Sequence, residues 1–219
     1  MKILNDFVLT YTDIKGECSL LIHVDSGCNL HCYECYNYEE LIENKDKLNW
    51  ATKERLFNFL DRNIHMYDYI LISGGEPTLL GRSLIKLCIE LKDRYQTLIA
   101  LNTNGTNPDV IKELIELEVL DRIYMDLKIP IYNYNFKKYN NLSYKILGVP
   151  LTEKLFKKME RTLHILYQSK TYFELRTVKY PFLKPNMLKK YRDTVKRFNA
   201  LYGKKITYEF NDFIHINKR

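Results

Sequence analysis

"SLLIHVDSGCNLHCYECYN", residues 19–37, joins two kinds of sequence with no spacer between them. Its first seven residues are an apolar run of strand length. The run passes straight into a loop holding Cys28, Cys32 and Cys35. In parallel α/β folds the functional loops lie beyond the carboxyl ends of the strands. A strand that empties into three thiols therefore predicts a parallel sheet and marks the edge of it where the chemistry sits. Three cysteines do not suit a disulfide framework, which wants an even number. They do not complete a tetrahedral zinc site, which wants four ligands. Iron–sulfur cubanes are commonly held by four thiolates. Three would leave one iron with an open position for something else. His31 lies inside the loop, so a zinc site of Cys28, His31, Cys32 and Cys35 stays open as the alternative. Against it, His31 and Cys32 are adjacent, and zinc sites usually draw ligand pairs from two places in the chain.

The strand-to-loop pattern repeats along the chain. Strand-length runs recur at 67–73, 97–102, 121–128, 171–180 and 204–210. Helical spacing fills 51–66, 83–95, 107–120, 152–169 and 186–202. Regular β–α alternation implies a parallel sheet with right-handed crossovers. Six repeated strands are two short of a closed (β/α) barrel. The expected fold is α/β, a partial (β/α)6 barrel in a single domain over residues 1–219, with a doubly wound sheet as second choice. Residues 7–21 read as a hairpin turning at Lys15 and Gly16. The tyrosine-rich stretch 131–149 shows no period and reads as a long loop on the active rim. Tyr132, Tyr134 and Phe136 within it are expected to help receive a partner's loop.

Composition narrows the class. The 219 residues are 46% hydrophobic, which excludes a disordered chain. No apolar run is long enough to span a bilayer and no leader pattern opens the sequence, so the expectation is a soluble, cytoplasmic protein without a membrane partner. Cys18 and Cys88 stand alone among apolar residues and read as small core side chains. His164 and His215 read as structural or surface residues. The net charge of +7 fits an acidic partner, an anionic substrate or nucleic acid. No block of basic residues forms a stripe, so nucleic acid is not the favoured partner.

Four further strands deliver polar residues to the same rim. "SGGEP" (73–77) follows the second, "NTNGT" (102–106) the third and "MDLK" (125–128) the fourth, and the fifth carries Arg176. Two glycines permit close backbone approach, and the Glu76 carboxylate suits an ammonium group. Taken alone, "SGGEP" reads equally as a tight turn with a solvated glutamate.

Cys28-x3-Cys32-x2-Cys35 followed by Gly74-Gly75-Glu76-Pro77 resembles the radical S-adenosylmethionine (SAM) superfamily. "LNTNGTNPDVIKELIE", "VLDRIYMDLKIP" and "ELRTVKYPFL" extend the likeness to the glycyl-radical-enzyme activases, of the type that activates anaerobic ribonucleoside-triphosphate reductases. The resemblance covers roughly residues 5–185. It implies a partial (β/α)6 barrel in which Cys28, Cys32 and Cys35 ligate a [4Fe–4S] cluster. It implies that Gly74, Gly75 and Glu76 hold the amino group of SAM. Lys128 and Arg176 match basic positions near the SAM carboxylate, Asp126 a cation- or SAM-proximal acid, and Asn102 the position of a carboxylate in many activases. Reductive cleavage of SAM would give a 5′-deoxyadenosyl radical that removes a hydrogen atom from a glycine of the anaerobic ribonucleotide reductase large subunit. The electron would come from a donor such as flavodoxin or ferredoxin. Three positions depart from the family pattern: Glu34 stands where an aromatic residue usually precedes the third cysteine, Tyr36 where histidine is frequent, and Asn102 where aspartate is. No cysteine follows Cys88, so auxiliary clusters have no ligands here. Two other functions stay open: a small radical SAM enzyme resembling 7-carboxy-7-deazaguanine synthase, and a zinc-stabilised module that binds nucleic acid.

Overall fold

A computed structural model of the chain describes residues 1–215. Its strands are β1 (Lys2–Leu4), β2 (Val8–Thr10), β3 (Ser19–Val24), β4 (Trp50–Thr52), β5 (Tyr69–Gly74), β6 (Leu98–Thr103), β7 (Arg122–Asp126), β8 (Tyr172–Lys179) and β9 (Thr207–Asp212). All join one sheet in the order β4-β1-β3-β5-β6-β7-β8-β9, with β2 also on β3. From β3 through β9 the six neighbours are parallel and follow chain order. These are the six strands expected from the sequence. β2 pairs antiparallel with β3, Val8 opposite Leu21, so the N-terminal hairpin is present.

The two faces of the sheet decide between barrel and doubly wound sheet. Ile70, Ile72, Ile99, Leu101, Ile123, Met125, Phe173 and Leu175 share one core with apolar residues from α2 (Lys53–Asn63), α3 (Arg82–Tyr95), α4 (Pro108–Glu116), α6 (Glu153–Gln168) and α7 (Pro185–Tyr202). The alternate residues Tyr69, Leu71, Ala100 and Tyr124 form a separate small core around Ile14, with no helical residue in it. Helices therefore cover one face only, as on the outside of a barrel. The other face is concave and is stopped at its amino end by Ile14, which is fully buried. Burial on both faces explains why strands such as "YILIS" read as continuous apolar runs. Above Ile14, toward the carboxyl ends, the inner face turns polar.

Three expectations need correction. The helix expected over 51–66 begins at Lys53, because Trp50 and Ala51 pair with Leu4 and Ile3 of β1 instead. Tertiary pairing overrides helical spacing there. Cys88 is fully buried, but Cys18 is only half-buried, since it sits where the hairpin turn meets solvent. The largest miss is 131–149. Residues 136–147 form a helix, α5 (Phe136–Leu147), capped at its start by the Asn135 side chain and at its end by Gly148. Its buried stripe is Ser143, Ile146 and Leu147. A serine at a core position hid the period. Tyr134 and Phe136 both pack on Phe156 of α6, with centroids 5.6 and 5.0 Å away, and Phe136 stays exposed on its other side. Tyr132 remains more than a third exposed.

Candidate functional site

The cysteine loop runs from the end of β3 to α1 (Tyr36–Tyr38), a single turn. Cys28, Cys32 and Cys35 are all free thiols. Cys32 is buried and the other two are half-buried. Among the described residues no three His, Cys, Asp or Glu side chains converge on one metal ion. The Cys3His zinc arrangement is not formed: the His31 ring is exposed and stacks on Tyr38, 3.8 Å between centroids. Burial pushes the Cys28 thiol up. Burial also pushes Cys32 up to about 11, against the pull of the Lys128 ammonium nearby. Coordination supplies what the apoprotein lacks, since a bound metal deprotonates its thiols outright.

The "SGGEP" turn is packed against this loop. A Cβ on Gly74, whose φ is +144°, would lie 2.6 Å from the Val24 carbonyl oxygen. A Cβ on Gly75 would overlap the Gly27 carbonyl. That approach lets the Glu76 amide donate to Gly27 O at 2.8 Å and the Asn37 side chain donate to Gly74 O at 2.8 Å. The glycines therefore serve a close approach of chain to chain.

Glu76 is fully buried, not solvated. Its carboxylate accepts from the Asn104 amide at 2.6 Å, from Thr103 Oγ1 at 2.8 Å, from the Thr78 amide at 3.2 Å and from Thr78 Oγ1. Burial raises its pKa, and those four donors work against the rise. The carboxylate ties the end of β5 to the "NTNGT" turn after β6. That turn in turn holds the cysteine loop. Asn104 Nδ2 donates to Asn29 Oδ1 at 3.1 Å and lies 4.0 Å from Cys28 Sγ. Asn29 Nδ2 donates to Thr106 Oγ1 at 2.9 Å. Sequence reasoning picked Asn102 from this turn and missed Asn29, Asn104 and Thr106. Asn102 faces the inner sheet, with Ser73 Oγ at 3.4 Å. The Asn104-Gly105 pair was the available signal, as a turn whose polar side chain closes onto its own backbone: Asn104 Oδ1 accepts from the Thr106 amide at 3.0 Å.

Asp126 and Lys128 form an ion pair at 2.9 Å. Burial alone would lower the Lys128 pKa, but Asp126 and the neighbouring Cys32 and Tyr180 outweigh it and hold the ammonium well above its ordinary value. A cavity of about 350 Å³ opens here, lined among others by Cys32, Cys35, Tyr36, Lys128 and Tyr180. Arg176 is not part of it. Its guanidinium donates to Glu174 at 2.8 Å and to the Asp13 carbonyl at 2.9 Å, and lies 3.8 Å from the centre of the Tyr124 ring. It faces a second inner cavity of about 430 Å³. The structure thus groups the three cysteines with Gly74–Glu76, Asp126 and Lys128, and directs Arg176 elsewhere. Of the departing positions, Tyr36 is exposed at the cavity mouth. Glu34 has a positive φ of 41° and meets His215 at 3.4 Å. His164 lies beside Tyr202 and Phe198 in a structural contact.

Six parallel strands, helices on one face and three thiols beyond the first strand define a class: a partial α/β barrel that presents a cysteine loop. Residues 22–143 match the family model described as the Radical SAM superfamily, which is more than half of the chain. The chain belongs to that superfamily. The match runs from β3 into α5 and so takes in every motif of the rim except Arg176. A Methanocaldococcus jannaschii protein is 37% identical over 102 residues, covering 47% of this chain and 40% of that protein. A second from the same organism is 33% identical over 129 residues, covering 58% and 46%. A Haemophilus influenzae protein is 22% identical over 121 residues, covering 55% and 45%. Each is named as a candidate glycyl-radical enzyme activating enzyme. The matches span less than half the length of these curated relatives. Among solved structures, anSMEcpe with bound AdoMet superposes with a TM-score of 0.62 at 21% identity, over 90% of this chain and 51% of that one. The methyltransferase TsrM of Kitasatospora setae, with cobalamin and a [4Fe-4S] cluster, gives 0.57 at 13% identity over 88% and 36%. Both likenesses concern the fold. Among the described residues no helix is long and apolar enough to cross a membrane.

Proposed function

We propose that this chain generates a glycyl radical on a partner enzyme, an anaerobic ribonucleotide reductase, by radical SAM chemistry. The observation that carries the reading is the cysteine loop itself: three free thiols, Cys28, Cys32 and Cys35, at the carboxyl end of the first parallel strand. That donor set fits a [4Fe–4S] cluster with one iron left for SAM. The names of the M. jannaschii and H. influenzae relatives support a glycyl radical enzyme as the partner. When bound, the reduced cluster and SAM would supply the electron and the radical that takes a hydrogen atom from the partner's glycine. The protein's share is placement, charge and exclusion of water.

Cys28, Cys32 and Cys35 would hold the cluster. Gly74, Gly75 and Glu76 would receive the amino group of SAM, and Asn102, Asp126, Lys128 and Arg176 are the polar residues assigned to its remaining groups. Lys128 is the best placed of these, a partly buried cation beside Cys32. Ile14 closes the amino end of the concave face, so a partner's glycine loop would enter from the rim. A donor such as flavodoxin or ferredoxin would supply the electron.

The test is to reconstitute the protein without oxygen, reduce it, add SAM and the candidate reductase, and record the electron paramagnetic resonance spectrum. A glycyl doublet is expected. A colourless protein that holds zinc would sink the cluster assignment. A brown, SAM-cleaving protein that gives no doublet on any reductase but converts a small nucleotide-like substrate would sink the activase assignment alone.

A further inference from the structure

α5 ends against the cysteine loop. A helix leaves its last carbonyls without intrahelical partners, and here two of them are used. Leu147 O accepts from the His31 amide at 2.8 Å, and Ile146 O accepts from the Tyr33 amide at 3.1 Å. His31 and Tyr33 flank Cys32, the most buried of the three cysteines. Gly148 follows at φ +66°, and a Cβ there would overlap the His31 carbonyl. Lys145, in the last turn, lies 4.1 Å from the centre of the Phe182 ring and 5.5 Å from that of Tyr33. The opposite side of the loop is held by the Gly74–Glu76 turn and by Asn104. α5 is thus the third support of the loop, and the only one of the three whose contact is a helix terminus.

Two physical consequences follow. The amides on either side of Cys32 are committed to α5 and are not available to sulfur. A helix C-terminus carries a partial negative charge, and here it is directed at that same segment. The potential of an iron–sulfur cluster depends on net charge nearby and on hydrogen bonds to its sulfurs. Withheld amides and added negative charge both disfavour the more negative, reduced state. Lys128 acts in the opposite direction but shares its charge with Asp126. We propose that the C-terminus of α5, through Gly148, Leu147 and Ile146, is a positioning element that fixes the Cys32 segment and lowers the reduction potential of the cluster bound there. This rests on the cluster reading above. It assigns the end of α5 a role in the loop's support.

The structure contains its own control. Gly203 caps α7 with φ +61°, the same backbone class as Gly148, but a Cβ there meets nothing within 4 Å. Gly148→Ala and Gly203→Ala impose the same dihedral strain, and only the first collides with the cysteine loop. The full-length protein is reconstituted without oxygen and its midpoint potential read by a redox titration monitored by electron paramagnetic resonance. Hydrogen exchange of peptides spanning residues 29–35 is read by mass spectrometry. Gly148→Ala is expected to raise the midpoint potential and to speed exchange about fivefold, the loss of one ordinary hydrogen bond. Gly203→Ala is expected to change neither. Equal behaviour of the two variants overturns the proposal. If Gly148→Ala fails to fold, Asn135→Ala decides, because it frays α5 from its other end, where Asn135 accepts from the Lys138 amide at 2.9 Å. It must speed exchange in 29–35 as well as in α5. Faster exchange confined to α5 overturns the proposal too. A wild type that takes up no iron and sulfide at all would instead count against the cluster reading.

Discussion

The two halves of the carboxyl rim are built differently. Around β3, β5 and β6 the cysteine loop is held by backbone groups and short polar side chains: Gly27 against Gly75, Glu76 against the Asn104 amide, Asn29 against Thr106. Around β7 and β8 the inner face carries long side chains in pairs, Asp126 with Lys128 at the rim and Glu174 with Arg176 below it, toward Asp13. The first half has almost no freedom, because carbonyl oxygens and amides cannot change rotamer. The second half can re-aim its charges with little movement of the backbone. Substitutions should therefore be severe and structural in the first half, and graded and electrostatic in the second.

The largest effect belongs to the cysteines. Cys32→Ala should abolish the cluster, and Cys88→Ala should leave it intact, with iron and sulfide analysis after anaerobic reconstitution as the measurement. Cys88 is buried in the helix-facing core and its loss is a packing change. Retention of a full cluster in Cys32→Ala would break the assignment of the loop.

Gly75→Ala comes next. The added methyl must displace either the Gly27 carbonyl or the whole turn, and overpacking of this kind costs about 3 kcal/mol. Urea denaturation should show that loss, and the variant should hold less iron. Stability close to wild type would mean that the cysteine loop moves freely over the turn, and the contrast between the two halves would fail.

These positions also mark what could be seen in the sequence. The six strands were visible because each is buried on both faces and ends at a residue type with chemical meaning. The cysteine loop and the glycine turn were visible because their spacing is tied to one another through close contact. α5 was not visible, since Ser143 interrupts its apolar stripe and its main work is done by two carbonyl oxygens that any residue could supply. The direction of Glu76 was not visible either. A carboxylate before proline looks the same in sequence whether it is solvated or, as here, buried among four donors of its own chain. Arg176 followed the same limit: its place on β8 was correct, but the pull of Glu174 and Asp13 is a matter of side-chain direction.

Glu76 gives a prediction with a sign in pH. Its folded pKa is raised, so the folded state binds its proton more readily than the unfolded state does. The stability it contributes is fully present below the ordinary carboxylate range and is lost as pH rises through the folded value. Glu76→Gln removes that dependence. The difference in unfolding free energy between wild type and Glu76→Gln should therefore shift toward the wild type as pH falls from neutral, measured by urea denaturation of the full chain at several pH values. Glu76→Ala should be worse at every pH, by about 2 kcal/mol, because buried donors at Thr103 and Asn104 lose their acceptor. A pH-independent difference between wild type and Glu76→Gln would show that the carboxylate keeps its ordinary ionisation.

The smallest expected effect separates the two cations of the flexible half. Lys128 and Arg176 occupy positions of equal standing in the family resemblance, yet their surroundings differ. Lys128 lies on the cavity that Cys32 and Cys35 line. Arg176 spends its donors on Glu174 and Asp13 and its face on Tyr124. Removing a charged hydrogen-bond donor that a ligand uses costs on the order of 1.5–3 kcal/mol, about tenfold or more in affinity. Lys128→Met should therefore weaken SAM binding by about tenfold, read by calorimetry on reconstituted protein. Arg176→Met should weaken it by about threefold or less and show its cost in stability instead, because Glu174 is left as a buried charge without its partner. A tenfold loss of SAM affinity in Arg176→Met with unchanged stability would mean that the guanidinium swings from Glu174 to the ligand. The second half of the rim would then be a set of movable charges that complete the site only when SAM arrives.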